Sequence, residues 1–186
     1  MMAGSGQMSE DVKRIQRDLV HEGSILKMYS DTMEFSNGNT EHWDFLKHKG
    51  AAAVVPVDED GKILMVRQYR NALDRFTLEI PAGAKDTPDE DTKVCAMREL
   101  EEETGFRCEN PEFLISLFPA VAYCNEKIDV YLARNLIPSK PNPDPDEFLS
   151  LERWEVDELL KMIYAGTIQD AKTVAAILAY KNLCTK

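Results

Sequence analysis

The sequence predicts a mixed α/β sandwich with a small β module in front of it. Short apolar stretches of strand length are interleaved with stretches of helical period, but not in strict strand–helix alternation, which favours a mixed sheet over a doubly wound one. The first part of the chain, up to about residue 48, consists of short alternating pieces separated by turn signals. With 186 residues, of which 44% are hydrophobic, the chain is long enough for one ordinary domain and such a module.

These patterns divide the chain into three parts. Residues 1–10 are small and polar, and we expect them to be disordered. Residues 11–48 form the β module, in which residues 36–39, reading SNGN, predict the turn of a hairpin. Residues 49–186 form the main domain.

The main domain opens with three predicted strands. Residues 51–57 are an apolar run, residues 58–61 are a turn that ends in glycine, and residues 62–69 are the second strand. Apolar side chains occupy both faces of this second strand, which predicts a central position in a sheet. The third strand, residues 76–80, ends at a Pro-Ala-Gly sequence.

A helix is predicted to follow over residues 89–104. Thr87 is its expected N-cap with Pro88 at the first helical position, and Gly105 is expected to end it in the left-handed conformation. Its predicted apolar stripe consists of Val94, Met97 and either Leu100 or Glu101.

The remaining third of the chain mixes both kinds of element. Residues 112–118 and 127–133 are predicted strands. Residues 138–146 contain four prolines and predict an extended loop. Residues 154–164 and 170–183 have the apolar period of two final helices.

Composition argues against several classes of function. A formal net charge of -11 argues against binding to nucleic acid or to an anionic membrane. No stretch approaches the ~18 apolar residues that a membrane span requires. The four cysteines form no CxxC pair, so we predict reduced thiols in a cytoplasmic protein rather than a zinc site. An anionic substrate would need a local positive charge, which a divalent metal can supply.

Three glutamates of the predicted helix, Glu99, Glu102 and Glu103, carry the strongest chemical signal. Offsets of three and four residues place them side by side, where their mutual repulsion requires a counter-charge. A solvated acidic face is the simplest alternative, but Arg98, four residues before Glu102, can clamp that carboxylate. Because Mg²⁺ prefers hard oxygen ligands and shares them with substrate phosphates, the pattern indicates metal-assisted hydrolysis of a diphosphate.

These residues resemble the Nudix box, which is a glycine, a glutamate and then R-E-U-x-E-E-x-G-U, with U aliphatic or aromatic. Residues 98–106 read RELEEETGF, and the seven residues of the family pattern separate Glu90 from Arg98. Six residues rather than five separate Gly83 from Glu90, which we interpret as a one-residue insertion in the loop 84–89. The resemblance implies the Nudix fold, an α/β/α sandwich around a mixed β-sheet.

Further motifs resemble the ADP-ribose pyrophosphatases and their relatives within that family. Residues 66–70 read VRQYR, residues 79–83 read EIPAG and residues 166–173 read GTIQDAKT, so the likeness runs from about residue 12 to the end. It implies hydrolysis of ADP-ribose to AMP and ribose 5-phosphate with Mg²⁺ or Mn²⁺ as cofactor. It also implies a homodimer, with the β module serving dimerisation and substrate binding.

The resemblance assigns expected roles to individual residues. The implied metal ligands are Glu99, Glu103 and the main-chain carbonyl of Ala82, with Glu102 assisting. The implied substrate-binding residues are Arg70, Glu79 and Glu126. The implied catalytic residues are Arg98, Glu102, Glu103 and Glu147. Glu147 is the candidate general base on a mobile loop, and ordinary solvation of a loop glutamate is its alternative.

One stretch departs from the pattern of the ADP-ribose pyrophosphatases. Position 121 is valine where those proteins have the proline of a Ser-Pro-Gly turn, and residues 120–122 read AVA. The substrate therefore stays open between ADP-ribose and another compound, a nucleotide sugar such as GDP-mannose or a dinucleotide. A third alternative is a Nudix protein that only binds a nucleotide and regulates a partner, although the intact charged residues of the box argue against it.

Overall fold

The computed structural model describes residues 11–23, 26–140 and 149–184. No helix within these ranges is long and apolar enough to cross a membrane. The strands are β1 (Val12–Glu22), β2 (Lys27–Phe35), β3 (Thr40–Lys47), β4 (Ala51–Pro56), β5 (Ile63–Arg70), β6 (Arg75–Glu79), β7 (Ala82–Ala84), β8 (Phe106–Arg107), β9 (Glu112–Leu117), β10 (Ile128–Ala133), β11 (Ile137–Pro138) and β12 (Ser150–Trp154). The helices are α1 (Thr92–Thr104), α2 (Val156–Tyr164) and α3 (Ala171–Cys184).

The chain divides into two compact units. The N-terminal unit comprises the described residues up to His48 together with Ala120–Glu126. The main unit comprises Lys49–Pro119 and the described residues from Lys127 onward.

The N-terminal unit is an antiparallel sheet in the order β1-β2-β3. The predicted hairpin at residues 36–39 is confirmed, since β2 and β3 pair on either side of it and Gly38 adopts a φ of 82°. Arg17 reinforces the sheet: its Nε and Nη2 donate to both oxygens of the buried Asp31, each at 2.5 Å. The Arg17 guanidinium also lies 3.8 Å from the ring centroid of Phe45, which adds a cation–π contact.

The main unit contains two larger sheets and a short strand pair. One sheet has the order β7-β4-β10-β9, in which β4 and β10 run parallel and the other pairs are antiparallel. The other has the order β12-β5-β6 and is antiparallel, so the prediction that residues 62–69 form a central strand is confirmed. The two-residue strands β8 and β11 pair with each other.

Helices cover both faces of the four-stranded sheet. On one face, Ala53 and Val55 of β4 belong to the apolar cluster that also contains Leu159 of α2 and Ile177 of α3. The other face of β4 packs against α1, as the cluster around Val54 shows. Because both faces of β4 are covered by helices, its run of apolar residues needs no alternation. The predicted mixed α/β/α sandwich is confirmed.

The predicted start of α1 is wrong. The helix begins at Thr92, and its N-cap is Asp91, whose carboxylate accepts from the Lys93 N–H at 2.7 Å. Thr87 belongs to the preceding turn, in which its carbonyl accepts the Glu90 N–H at 3.2 Å. The residues predicted to form the first helical turn therefore form a loop. The first helical N–H groups that need a cap follow Asp91.

The predicted apolar stripe of α1 is also wrong at Val94, which is 60% exposed. The other predicted positions do face the sheet, since Leu100 is fully buried and Met97 packs against the same clusters; Cys95 and Ala96, which are also fully buried, complete this face. The small side chains at 95 and 96 let the helix approach β4 closely. Hydrophobicity alone misplaces this face because two of its positions are glutamates, described below.

A strand takes the place of the beginning of the predicted helix 154–164. Trp154 ends β12 and pairs with Ile63 of β5, and α2 begins only at Val156. The Glu155 N–H donates to the Glu158 carboxylate at 3.3 Å, which supports the helix start at that point. A five-residue strand with charged side chains gives a weak period-2 signal, which the adjoining helix pattern conceals.

Candidate active site

Two glutamates of α1 lie on its buried face. Glu99 and Glu103 are one helical turn apart and are 8% and 7% exposed. Gly105 ends the helix directly after them, with a φ of 72° and an N–H that donates to the Glu101 carbonyl at 2.9 Å. Burial of carboxylates is unfavourable unless they are paired or bind a metal ion, so this placement indicates a site rather than a solvated acidic face.

Gly83 makes room for one of these carboxylates. A Cβ built at position 83 would lie 2.2 Å from both Cδ and Oε1 of Glu99, which is far below any real contact distance. The glycine of the motif is therefore required by a close approach of the Glu99 carboxylate to the backbone of β7.

Arg98 restrains the carboxylates beside it. Its Nη1 donates to Glu99 Oε1 at 2.6 Å and to Glu102 Oε2 at 3.0 Å, which confirms the predicted clamp on Glu102. Its Nη2 donates to the carbonyl of Ala84 at 3.1 Å, and its Nε lies 3.6 Å from Glu90 Oε1. Burial alone would lower the pKa of Arg98, but Glu99 and Glu102 outweigh it and raise that pKa above its ordinary value.

The donor set suits a hard divalent cation. Among the described residues no three acidic, histidine or cysteine side chains form a ready-made metal group. The reason is visible in their partners: Glu102 is drawn to Arg98, and Glu103 Oε2 accepts the Ala82 N–H at 3.1 Å. Carboxylate oxygens are nevertheless the ligands that Mg²⁺ prefers. Because residue 83 is a glycine, the Glu99 carboxylate can lie directly against the backbone.

A second cluster of charges centres on Glu79, at the end of β6. This carboxylate is 2% exposed and accepts from Arg70 Nε at 2.8 Å, Arg70 Nη2 at 2.7 Å and the Thr77 hydroxyl at 2.6 Å. Lys172 Nζ donates to Glu79 Oε2, the oxygen that also accepts Arg70 Nη2, and to Asp170 Oδ2 at 2.9 Å. Glu79 is thus enclosed by donors of its own chain.

Electrostatics keep this cluster ionised. Burial would raise the pKa of Glu79, but the Arg70 hydrogen bonds and the Lys172 charge outweigh it and lower that pKa to about 2. The side chain of Arg70 is 41% exposed and lines a cavity of about 390 Å³ together with Arg75, Gln169 and other residues of β6 and the start of α3. Both residues of the pair predicted to meet the substrate line this cavity, Arg70 with an exposed side chain and Glu79 with a buried one.

Lys172 was not assigned a role from the sequence, although it lies within the GTIQDAKT motif. One signal could have found it. A cation in the first turn of a helix opposes the helix dipole, and α3 has no acidic residue in that turn. A lysine in that position therefore needs carboxylates beside it: Asp170 lies two residues before it, and the fold brings Glu79, 93 residues away in sequence, to its other partner position.

The other predicted residues lie elsewhere. Glu126 belongs to the N-terminal unit, where its Oε1 is 3.7 Å from Nδ1 of His48. In the same unit the Ala120 carbonyl accepts the N–H groups of Tyr123 at 3.2 Å and Cys124 at 2.9 Å, so a hydrogen-bonded turn forms there without Pro-Gly. Glu147, the candidate general base, lies outside the described residues.

Another cavity, of about 580 Å³, lies beside the β4–β5 turn. It is lined by Asp58, Phe106, Arg153 and neighbouring residues, and none of the predicted site residues that the structure describes is among them. The volume of a cavity does not identify the site here. The predicted site side chains that the structure describes in the main unit instead lie at the smaller cavity beside Arg70 and on α1.

Comparisons with known proteins agree with this geometry. The family model described as the NUDIX domain matches residues 47–177. The methanol dehydrogenase activator of Bacillus methanolicus is 40% identical over 175 residues, which cover 92% of this chain and 93% of that protein. The ADP-ribose pyrophosphatase of Bacillus subtilis (strain 168) is 34% identical over 171 residues, which cover 91% and 92%.

The fold is also found among solved structures. The crystal structure of an ADP compounds hydrolase superposes with a TM-score of 0.82 and covers 94% of this chain and 95% of that one. At 24% identity that likeness supports the fold alone. The match over residues 47–177, the two relatives and the box residues on α1 lead to one conclusion: this chain belongs to the Nudix family of hydrolases.

Proposed function

We propose that the protein hydrolyses ADP-ribose to AMP and ribose 5-phosphate in a reaction that depends on Mg²⁺, with Mn²⁺ as a substitute. The observation that carries the proposal is the pair of buried glutamates, Glu99 and Glu103, on α1. Glu99 lies beside the backbone of Gly83. The resemblance to the Bacillus subtilis pyrophosphatase supports the choice of substrate. Valine at position 121 keeps GDP-mannose, other nucleotide sugars and dinucleotides as alternative substrates within the same chemistry.

In this proposal Glu99, Glu103 and the carbonyl of Ala82 hold the metal, with Glu102 assisting. When bound, the cation would supply positive charge for the diphosphate and would activate a water molecule. Arg98 bridges the carboxylates of Glu99 and Glu102 through one nitrogen, which offsets their mutual repulsion and orients them.

The substrate is held by protein groups as well. Arg70 directs its remaining N–H donors into the cavity, where they can bind a phosphate oxygen. Water attacks one phosphorus, the bridging P–O bond breaks, and Glu147 accepts the proton of the water. We also assign Glu126 to substrate binding.

Location and assembly complete the proposal. We place the enzyme in the cytoplasm, where thiols such as the free Cys95 and Cys108 stay reduced. We further propose that residues 11–48 act as a module that mediates homodimerisation, since β1 exposes Ile15 and Leu19 at 48% and 51%. Light scattering on the purified chain checks this, and a monomer at micromolar concentration would refute it.

The activity is tested with a panel of compounds in Mg²⁺ buffer and ¹⁸O water, with product masses as the readout. AMP and ribose 5-phosphate formed from ADP-ribose support the proposal, whereas turnover of only GDP-mannose or a dinucleotide would assign the alternative substrate. Glu103→Gln should lower kcat by at least about 100-fold, since it removes a metal ligand. Glu101→Gln is the matched control, because the Glu101 carboxylate accepts from Ser139 instead. Full activity of Glu103→Gln would refute the metal role.

A second candidate function is the regulation of a dehydrogenase. The observation that favours it is the 40% identity to the methanol dehydrogenase activator across nearly the whole of both chains. Methanol dehydrogenase activity measured with and without the protein tests this function. Stimulation that survives Glu103→Gln would indicate a binding regulator, and stimulation that the variant loses would indicate that hydrolysis causes it.

A further inference from the structure

Lys172 is the feature of the cavity wall that the proposed reaction does not yet use. It is 9% exposed, lies in the first turn of α3, and joins two carboxylates from different parts of the main unit, Glu79 and Asp170. A buried lysine at this position loses solvation and opposes the helix dipole. It is therefore stable only because of these two partners.

Asp170 fixes where α3 begins and therefore where Lys172 lies. Its Oδ2 accepts the Thr173 N–H at 3.0 Å and the Thr173 hydroxyl at 2.6 Å, which is the arrangement of a helix N-cap. The Thr173 hydroxyl oxygen in turn accepts the N–H of Ile80 at 3.1 Å. This bond ties the start of α3 to Ile80, the residue after Glu79. Lys172 cannot move relative to Glu79 unless the bond breaks.

Glu79 transmits this placement to Arg70. Two parallel N–H donors of the guanidinium grip the two oxygens of one carboxylate, so the plane of Arg70 follows the plane of Glu79. Each oxygen of Glu79 has a second donor: the Thr77 hydroxyl donates to Oε1 and Lys172 donates to Oε2. The cluster contains two carboxylates and two cations, so its charges balance without a counter-ion from solvent.

We propose that Lys172 is a positioning residue of the reaction, which orients the Arg70 guanidinium toward the substrate diphosphate by holding the Glu79 carboxylate that Arg70 binds. This inference rests on the proposed function, because it takes Arg70 as a phosphate-binding group. The Lys172 amine donates to Glu79 and Asp170, so in this inference it acts through Glu79 rather than on the substrate. Without it, Glu79 has a single cationic partner, and the carboxylate and the guanidinium turn together away from the cavity.

The test compares Lys172→Met with the wild-type chain. Substrate affinity is measured by calorimetry with α,β-methylene ADP-ribose in Mg²⁺ buffer, and turnover is measured with ADP-ribose. We expect Lys172→Met to weaken binding of the analogue by about tenfold to 100-fold, the loss typical of a charged hydrogen bond. Lys172→Arg, which keeps a cation with N–H donors, should recover part of it.

A double-mutant cycle separates positioning from a general loss of structure. If Lys172 acts through Arg70, Lys172→Met should cause no further loss of binding in a chain that already carries Arg70→Ala. Losses that multiply would overturn the inference, as would wild-type affinity of Lys172→Met. Lys181→Met is the matched control, because it removes a lysine of the same helix that pairs with Asp157 at the surface.

Two further outcomes are distinguishable. If Lys172→Met fails to fold, Thr77→Val is tested in its place, because it removes another donor to Glu79. This variant should weaken binding of the analogue by a smaller factor. Unchanged binding would overturn the inference. If the wild-type chain binds the analogue but hydrolyses no compound of the panel, the proposed function fails while the affinities still decide the role of Lys172. If it neither binds nor hydrolyses, both are overturned.

Discussion

Gly83 and the Glu99 carboxylate occupy a space that has no room for a further carbon atom. An added Cβ would lie 2.2 Å from the carboxylate, and the backbone of β7 cannot retreat because it is paired with β4. We expect Gly83→Ala to displace Glu99 and to lower metal-dependent hydrolysis by at least about 100-fold, with an unchanged circular dichroism spectrum. Gly23→Ala is the control, since its added Cβ would meet no atom closer than 3.4 Å. Equal activities of the two variants would contradict this prediction.

The buried Glu79 links stability to pH. Its pKa of about 2 lies below the ordinary 4.5, so it contributes stability that is fully present above about pH 4.5 and is lost as the pH falls toward 2. A shift of this size corresponds to about 3 kcal/mol.

Urea unfolding of the wild-type chain and Glu79→Gln at several pH values measures this contribution. The difference between their free energies of unfolding should shrink as the pH falls from 7 to 3. A difference that stays constant over this range would show that the pairing with Arg70 and Lys172 does not depress the pKa of Glu79.

At the scale of the element, α1 shows how a loop decides where a helix begins. The sequence predicted the cap at Thr87, whereas the structure has it at Asp91. The choice is made by the loop before the helix, in which the Asp86 N–H donates to the Glu90 carboxylate at 2.6 Å and Glu90 in turn reaches Arg98. Because Arg98 lies on the helix, this network fixes the first helical residue from a distance.

This assignment of the cap gives a direct prediction. Asp91→Ala removes the acceptor of the Lys93 N–H and should lower the free energy of unfolding by about 1 kcal/mol. Thr87→Ala should change it by less than about 0.5 kcal/mol, as an ordinary surface substitution does. Chemical denaturation of both variants is the measurement, and the reverse order would restore Thr87 as the cap.

At the scale of the whole molecule, an acidic chain has to bind an anionic substrate. The net charge of -11 repels such a substrate. In the described main unit, two arginines provide local positive charge: Arg70 at the cavity and Arg98 among the carboxylates. A divalent metal would add to them, and it would stabilise the folded chain because it binds only that state.

Metal binding should therefore appear in thermal unfolding. At a Mg²⁺ concentration about 100 times its Kd, the folded state gains about 2.7 kcal/mol, and Tm should rise. A double variant, Glu99→Gln with Glu103→Gln, should show no rise. Calorimetric scans with Mg²⁺ and with chelator test this, and an equal rise in both proteins would place the metal elsewhere.

The sequence by itself determined those features that depend on neighbours along the chain. The turn at Gly38, the C-terminal end of α1 at Gly105 and the clamp of Arg98 on Glu102 are all local, since their partners are at most a few residues apart. The spacing of the box residues was equally readable, because the period of a helix converts spacing directly into a shared face.

Only the tertiary structure decided the features that join distant segments. The burial of Glu99 against Gly83, the pairing of Lys172 with Glu79 and the strand β12 beside β5 each depend on how separate elements pack. No local pattern contains this information, because a side chain responds to whatever the fold brings near it. For the same reason Val94, the most apolar choice for the helix face, points to solvent while two glutamates are buried.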